Sequence, residues 1–183
     1  VHKFNGMFAF AIWDIKNQSL FLARDRLGIK PLYYSFVKNT FLFASEIKAL
    51  FEHPLVIPEV DINSVPEYLF CTSLLDSKTM FKNIRTIAPG HTMIVNYKSH
   101  KLEEYWDIQL KDCNNDSRGI EEYQQNIFNL MDDSVNKRLM SDVPYGALLS
   151  GGLDSSISSA LASKHVDRAL QTFSIEFTDN VRM

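Results

Sequence analysis

The sequence contains little cysteine, no block of like charge and no long apolar run. Its two cysteines, Cys71 and Cys113, stand far apart without a Cys-x-x-Cys pair, which argues against a zinc site or a disulfide framework and fits a reducing compartment. The net charge of −3 gives no general attraction to nucleic acid or to an anionic membrane. The longest apolar run, residues 7–13, has the length of a strand and is too short to span a bilayer. We therefore expect a cytoplasmic protein that binds neither nucleic acid nor membrane.

The two common phosphate-binding motifs are also absent, since neither Gly-x-x-x-x-Gly-Lys-Ser/Thr nor Gly-x-Gly-x-x-Gly occurs. In their place stands the string Ser150-Gly151-Gly152-Leu153-Asp154-Ser155-Ser156, preceded by an apolar run over residues 145–149. The run predicts a buried strand, and the two glycines permit a sharp turn and close approach of a ligand. Asp and Ser are residue types that cap helices, so a helix is predicted to begin here. A loop between a strand and a helix N-terminus predicts an anion site.

The side chains of this loop favour phosphate bound together with a metal ion. The loop has no lysine, but the hydroxyls of Ser150, Ser155 and Ser156 and the backbone N–H groups are suitable donors to phosphate oxygens. The Asp154 carboxylate would repel a phosphate directly, so its predicted role is to bind Mg²⁺ between itself and the phosphates. An ordinary Gly-Gly turn with an Asp cap is the alternative that the string alone leaves open.

The string resembles the pyrophosphate loop, Ser-Gly-Gly-x-Asp-Ser, of the ATP pyrophosphatase superfamily. This resemblance implies that ATP is cleaved between its α and β phosphates, that AMP passes to an oxygen atom such as that of a carboxylate, and that the loop binds the departing pyrophosphate. It also implies that Leu149 and Ile175 contact the adenine. Glu176 departs from the small residue that the superfamily has at this point.

Residues 1–110 are predicted to be rich in β-strands. Residues 7–14 form a strand buried on both faces that pairs with residues 19–25. Two further hairpins and two helices are predicted from alternating apolar residues, capping residues and turn signals: hairpins over 32–44 and 91–107, and helices over 46–52, capped by Ser45, and 61–70. Hairpins rich in aromatic residues and followed by a helix indicate a sheet packed under helices.

Three strings in this part, residues 4–14, 23–34 and 43–50, resemble the later part of the glutaminase domain of glutamine-hydrolysing asparagine synthetases. Two shorter strings, at 87–91 and at Tyr105-Trp106, resemble the end of that domain. The resemblance implies an α+β N-terminal-nucleophile fold, an αββα sandwich, whose nucleophile is a cysteine at the mature N-terminus. Cys71 and Cys113 are internal and cannot take that role, so we assign no glutaminase catalytic residue in this chain.

Several polar residues in the same part are interpreted as structural. Arg24-Asp25-Arg26 is predicted to form an ion-pair and hydrogen-bond network that braces its loop. Lys30 is likewise assigned no catalytic role. Tyr33 and Tyr34 are interpreted as packing aromatics with a polar tip, and His91 as a turn histidine held by backbone contacts.

The sequence predicts two domains, with an α/β fold overall. Residues 1–110 are the C-terminal part of a glutaminase (type 2 glutamine amidotransferase) domain, and the polar stretch 111–117 is a linker. Residues 118–183 are the N-terminal part of an asparagine synthetase domain. This part contains an amphipathic helix over 118–140 that packs on the elements after it, and it begins the α/β parallel sheet of an ATP pyrophosphatase. Both ends of the chain fall within predicted structure, so we expect an internal fragment of a longer protein.

The resemblance implies an ATP-dependent amide ligase for asparagine biosynthesis. Its substrates are aspartate, glutamine and ATP, with Mg²⁺ bound at Asp154, and a homodimer is the candidate assembly. Two alternatives stay open: a related ligase that adenylates another carboxylate, and an inactive remnant that only binds nucleotide. The fragment by itself is expected to be inactive, because the glutaminase nucleophile and the lysine that the family places in its synthetase site both lie outside it.

Overall fold

The computed structural model describes residues 1–110 and 118–176. The chain divides into two compact units, Val1–Leu110 and Lys111–Met183, and each is described by itself. The predicted linker, 111–117, and the end of the last predicted strand, from residue 177, lie outside the described residues. Over the ranges described, no helix is long and apolar enough to cross a membrane.

The first unit contains two antiparallel sheets and two short helices. Its elements are β1 (Ala9–Asp14), β2 (Ser19–Arg24), β3 (Tyr33–Val37), β4 (Thr40–Ala44), α1 (Ile47–Phe51), a 3₁₀ turn (Ile62–Ser64), α2 (Val65–Cys71), β5 (Ile84–Thr86), β6 (His91–Val95) and β7 (His100–Glu104). One sheet has the order β1-β2-β6-β7 and the other has the order β4-β3-β5. The three predicted hairpins, β1–β2, β3–β4 and β6–β7, are confirmed.

The main core of this unit lies between the two sheets. Leu22 from β2, Met93 from β6 and Tyr34 from β3 belong to one buried cluster, so strands of both sheets contribute to it. Successive side chains of a strand point to opposite faces, and Tyr33 accordingly packs in a second cluster, with Leu50 of α1. The second sheet is therefore covered by the first sheet on one face and by α1 on the other, as predicted for a sheet packed under a helix.

Two local predictions for this unit are wrong. Strand β1 is not buried on both faces, since Ile12 and Trp13 are 55% and 56% exposed. The reason is that β1 is an edge strand, with Ile12 on the sheet face turned away from the core. Ser45 does not cap α1, because the extended N-cap position is taken by Glu46. Ser45 lies one residue too early for its hydroxyl to reach the first free N–H groups of the helix.

Asp25 forms the centre of a hydrogen-bond network beneath the loop that follows β2. Its side chain is only 2% exposed and accepts hydrogen bonds from the backbone N–H groups of Phe8, Leu27, Ile29 and Lys30, at 3.2, 3.2, 2.9 and 2.9 Å. Burial alone would raise the pKa of Asp25. The four N–H donors outweigh that effect, so the pKa lies below its ordinary value.

Arg24 holds the same loop from the other side. Its guanidinium donates to three carbonyls and one hydroxyl: Gly28 (2.7 Å), Lys30 (2.8 Å), Ile87 (2.6 Å) and the Oγ1 of Thr86 (2.8 Å). The predicted hydrogen-bond network is therefore confirmed. The ion-pair part of that prediction is wrong for residues 1–110, because Asp25 accepts from backbone N–H groups and Arg24 donates to backbone carbonyls and a hydroxyl, so neither binds an opposite charge.

The turn before β6 is joined to this network through backbone atoms. The N–H of Gly90 donates to the Asp25 carbonyl at 2.9 Å, and the Gly90 carbonyl accepts from Tyr105 and Trp106 at 2.8 and 3.2 Å. Gly90 has φ +67°, and a Cβ placed on it would lie 2.2 Å from the Trp106 carbonyl oxygen. The His91 ring Nδ1 lies 2.7 Å from the Pro89 carbonyl, which confirms that His91 is held by backbone contacts.

The second unit is a βαβ arrangement preceded by a long helix. Its elements are α3 (Ile120–Arg138), β8 (Gly146–Leu148), α4 (Leu153–Lys164) and β9 (Gln171–Phe173). Strands β8 and β9 are parallel, as predicted. Helix α3 packs on α4, where His165 Nε2 lies 2.8 Å from the Asp132 carboxylate and the Lys164 ammonium lies 4.9 Å from the Phe128 ring centre.

Burial in the second unit is lower than the sequence predicts. Leu148 in β8 is 82% exposed, and Ile120, Ile127 and Leu130 of α3 are also exposed. Over residues 118–176 the sheet has two strands, so the faces of β8 are not covered as those of a central strand would be. The prediction of a buried strand is therefore wrong for this part of the chain.

We predict that Gly90→Ala destabilises the first unit by about 2–5 kcal/mol, because the new methyl group overlaps the Trp106 carbonyl and the φ value is unfavourable for alanine. Gly6→Ala is the matched control, since a Cβ there meets no atom within 4 Å. Urea unfolding followed by the fluorescence of Trp13 and Trp106 measures both changes. Equal midpoints for the two variants would contradict this account.

We predict that Asp25→Asn costs more than about 3 kcal/mol near neutral pH, because an amide cannot accept from four N–H donors and its own NH₂ group faces them. Since the folded pKa is lowered, the stabilisation by Asp25 is fully present above its unfolded pKa of about 3.9 and is lost as the pH falls through the folded value. Unfolding free energies of wild type and variant should therefore converge in acid. Asp14→Asn, whose carboxylate accepts from Asn17 on an exposed turn, should lose far less stability at any pH.

Candidate functional site

The candidate site is the loop between β8 and α4, at the carboxyl ends of the two parallel strands. Gly151 has φ +81°, a conformation that glycine adopts without strain. Gly152 is the N-cap residue of α4, and no side chain caps the helix. The predicted helix is therefore confirmed, although it begins at Leu153 and neither Asp154 nor a serine side chain caps it. Asp154 instead lies in the first turn of α4, where a carboxylate interacts favourably with the helix dipole.

The three serine hydroxyls lie close together at this helix N-terminus. Ser150 Oγ and Ser155 Oγ are 3.1 Å apart. Ser155 and Ser156 both donate to the Gly152 carbonyl, at 3.1 and 2.8 Å. The structure thus brings Ser150, Gly152, Ser155 and Ser156 into one cluster, and their role as phosphate donors stays a prediction.

Several hydrogen bonds within the cluster are weak or share one acceptor. The Gly152 carbonyl accepts two hydroxyls and also the N–H of Ser156, at 3.1 Å, although a carbonyl oxygen has only two lone pairs. The N–H of Gly152 lies 3.5 Å from Ser150 Oγ, which is a long and weak contact. Hydroxyls rotate freely about their C–O bonds, so these donors could exchange their intraloop acceptors for the oxygens of an anion.

Asp154 presents a free carboxylate beside this cluster. Its side chain is exposed, and over residues 118–176 it makes no hydrogen bond or ion pair. The described ranges also contain no group of three or more acidic, histidine or cysteine side chains that could hold a metal by themselves. Mg²⁺ retains several waters and takes few protein ligands. One free carboxylate would therefore be enough to hold Mg²⁺ if phosphate oxygens of a ligand supplied the other contacts.

The two residues assigned to adenine flank the loop at the ends of the strands. Leu149 follows β8, is half-buried, and donates its N–H to the Phe173 carbonyl at 2.8 Å. Ile175 lies two residues beyond β9 and is 85% exposed. The structure therefore places both at the carboxyl edge of the sheet, where ligands bind in open parallel α/β sheets, and their contact with adenine stays a prediction.

One contact at this edge was missed by reasoning from the sequence. The hydroxyl of Ser174 donates to the Leu149 carbonyl at 2.6 Å, so it connects the end of β9 to the residue before the loop. The sequence did contain a signal, since Ser174 directly follows one predicted strand and the paired strand leads into the glycine loop. A hydroxyl at such a position is common in proteins, and its acceptor could not be identified without the pairing of β8 with β9.

Comparison with known proteins identifies the family. Residues 1–106 match the model of the glutamine amidotransferase domain, which covers more than half of the chain. The chain therefore belongs to the glutamine amidotransferase domain family. Further along, residues 126–182 match the model of asparagine synthase, and this match includes the whole candidate loop. The resemblance to glutamine-hydrolysing asparagine synthetases drawn from the motifs is confirmed.

Individual relatives are similar to this chain over most of its length. An asparagine synthetase [glutamine-hydrolyzing] 3 from Bacillus subtilis is 38% identical over 98% of this chain. A putative asparagine synthetase [glutamine-hydrolyzing] 2 from Methanocaldococcus jannaschii is 36% identical over 97% of it. A protein named amidase chyE from Penicillium rubens is 36% identical over 85% of it. The chain spans 30%, 35% and 23% of the lengths of these three relatives.

Proposed function

We propose that this chain is part of an ATP-dependent amide ligase that converts aspartate to asparagine with ammonia from glutamine. The observation that carries the proposal is the order of the two family matches in one chain, a glutamine amidotransferase domain followed by an asparagine synthase segment. The names of the bacterial and archaeal relatives support the same activity. In this proposal residues 1–110 belong to the glutaminase domain, 111–117 link the domains, and 118–183 begin the synthetase domain.

The proposed reaction has three steps. Glutamine is hydrolysed to glutamate and ammonia in the first domain. In the second, a side-chain oxygen of aspartate attacks the α-phosphorus of ATP, the bond to the bridging oxygen of the β-phosphate breaks, and β-aspartyl-AMP and pyrophosphate form. Ammonia then attacks the β-carbonyl carbon, AMP leaves with the electron pair of the broken C–O bond, and the nitrogen loses a proton to give asparagine.

The loop is assigned to the departing pyrophosphate. Negative charge grows on that group as the P–O bond breaks, and donors aimed at developing charge lower the barrier. The hydroxyls of Ser150, Ser155 and Ser156, together with the N–H groups of Gly151 and Gly152, are the donors in this proposal. Leu149 and Ile175 bind the adenine. Mg²⁺, when bound with ATP, neutralises phosphate charge, and Asp154 is the residue that would hold it.

The first unit contributes structure rather than chemistry in this proposal. Arg24 and Asp25 are committed to backbone groups and, for Arg24, also to the Thr86 hydroxyl, so neither is free to act on glutamine. Cys71 is an exposed free thiol at the end of α2 and cannot supply an N-terminal nucleophile.

A second candidate function is a ligase of the same mechanism that adenylates a different carboxylate. The observation in its favour is the relative named amidase chyE, which shows that proteins similar to this chain carry other names than asparagine synthetase. The loop itself does not distinguish the two candidates, because in both it is assigned to the phosphates rather than to the carboxylate.

The test is ATP–pyrophosphate exchange by the protein expressed from its complete reading frame, with aspartate and a panel of other carboxylates. We expect exchange that depends on aspartate, and asparagine as the product when glutamine is added. Exchange with another carboxylate alone would favour the second candidate. ATP binding with no exchange for any carboxylate would indicate an inactive remnant and would overturn the proposal.

We predict that Asp154→Ala lowers the rate of ATP–pyrophosphate exchange at least about 100-fold, as expected when a group that stabilises transition-state charge is removed. The matched control is Asp167→Ala, because Asp167 is also exposed but precedes β9 and so lies at the opposite end of the strands. Circular dichroism should show that both variants are folded. Near-normal exchange by Asp154→Ala would disprove its role.

A further inference from the structure

We propose that Ser174 is a positioning residue for the anion loop: its hydroxyl holds the Leu149 carbonyl and thereby orients the first residue of the loop, Ser150. This inference deepens the proposed function and rests on it for its catalytic consequence. The geometry that carries it is independent of any ligand.

The bond from Ser174 occurs where the parallel ladder ends. Strands β8 and β9 end at Leu148 and Phe173, and the last ladder bond runs from the Leu149 N–H to the Phe173 carbonyl, at 2.8 Å. In a regular parallel pair, the Leu149 carbonyl would next accept the N–H of Ile175. The Ser174 hydroxyl occupies that acceptor, at 2.6 Å, so a side chain provides the last link between the strands.

This link fixes the plane of the peptide bond between Leu149 and Ser150. A trans peptide is planar, with its C=O and N–H pointing in opposite directions. Because the Leu149 carbonyl faces β9, the Ser150 N–H faces away from β9. The Cα of Ser150 lies in the same plane, so the Ser174 bond also helps to place the Ser150 hydroxyl, 3.1 Å from Ser155 Oγ.

The other contacts do not replace this link. Gly151 adopts φ +81° with no atom within 4 Å of a Cβ position, so no packing restrains it. The contact from the Gly152 N–H to Ser150 Oγ is 3.5 Å long. Since the bond is exposed, its loss should change the equilibrium of the loop by about two- to tenfold, without unfolding the unit.

The test compares Ser174→Ala, Ser174→Thr and a control, Ser163→Ala, in the protein expressed from its complete reading frame. Threonine keeps the hydroxyl. Ser163 donates an equivalent exposed bond to the Ala160 carbonyl, at 2.8 Å, within α4 and away from the loop. The first readout is amide hydrogen exchange of residues 149–152 in the ligand-free protein. The second is the KM for pyrophosphate, compared with kcat, in the exchange reaction.

We expect Ser174→Ala to speed amide exchange of the loop by about two- to tenfold, and to raise the KM for pyrophosphate by a similar factor, with little change in melting temperature. Ser174→Thr should restore both values, and Ser163→Ala should change neither. Unchanged loop exchange in Ser174→Ala, or faster exchange throughout the unit with a lower melting temperature, would overturn the inference. Wild-type protein that lacks pyrophosphate exchange would contradict the proposed function, whereas the hydrogen-exchange result would still decide the role of Ser174.

Discussion

The first unit depends on one buried carboxylate whose charge is stabilised by backbone N–H groups rather than by a basic side chain. Asp25 connects the start of β1, the loop after β2 and, through its own carbonyl, the turn at Gly90. A buried charge is tolerated only when its acceptor sites are filled. The loop must therefore keep the conformation that presents its N–H groups, and Arg24 holds the loop carbonyls on the other side.

In the second unit the conformation of the loop depends on where the backbone pairing of the two parallel strands ends. The loop begins where backbone pairing stops, so its N–H groups are not used by the sheet and can serve a ligand. The same feature leaves the loop weakly held, because each bond within it is exposed to water. In the inference above, the Ser174 hydroxyl, one residue beyond the neighbouring strand, compensates for this weakness at Leu149.

The pairing of consecutive strands was predictable from the sequence, and side-chain contacts between distant segments were not. The three hairpins and the parallel pair follow from the alternation of apolar residues, the turn residues and the order of the elements along the chain. The partners of Arg24 at Thr86 and Ile87, more than 60 positions away, follow only from the packing of the turn before β6. Burial was overestimated for β1 and β8, because an apolar run does not show how many strands flank it.

In the function proposed above, the position of Asp154 explains how a single protein carboxylate could hold the metal. A site that binds Mg²⁺ by itself needs several oxygen ligands from the protein, whereas a site that binds a metal–nucleotide complex needs only one or two, since the phosphates supply the rest. Asp154 is exposed, unpaired within residues 118–176 and placed beside three hydroxyls at a helix N-terminus. A carboxylate at this position repels a polyphosphate without a bound cation, and it attracts the cation of a metal–polyphosphate complex. The proposed function therefore assigns the loop to a metal-bound phosphate ester rather than to a free anion.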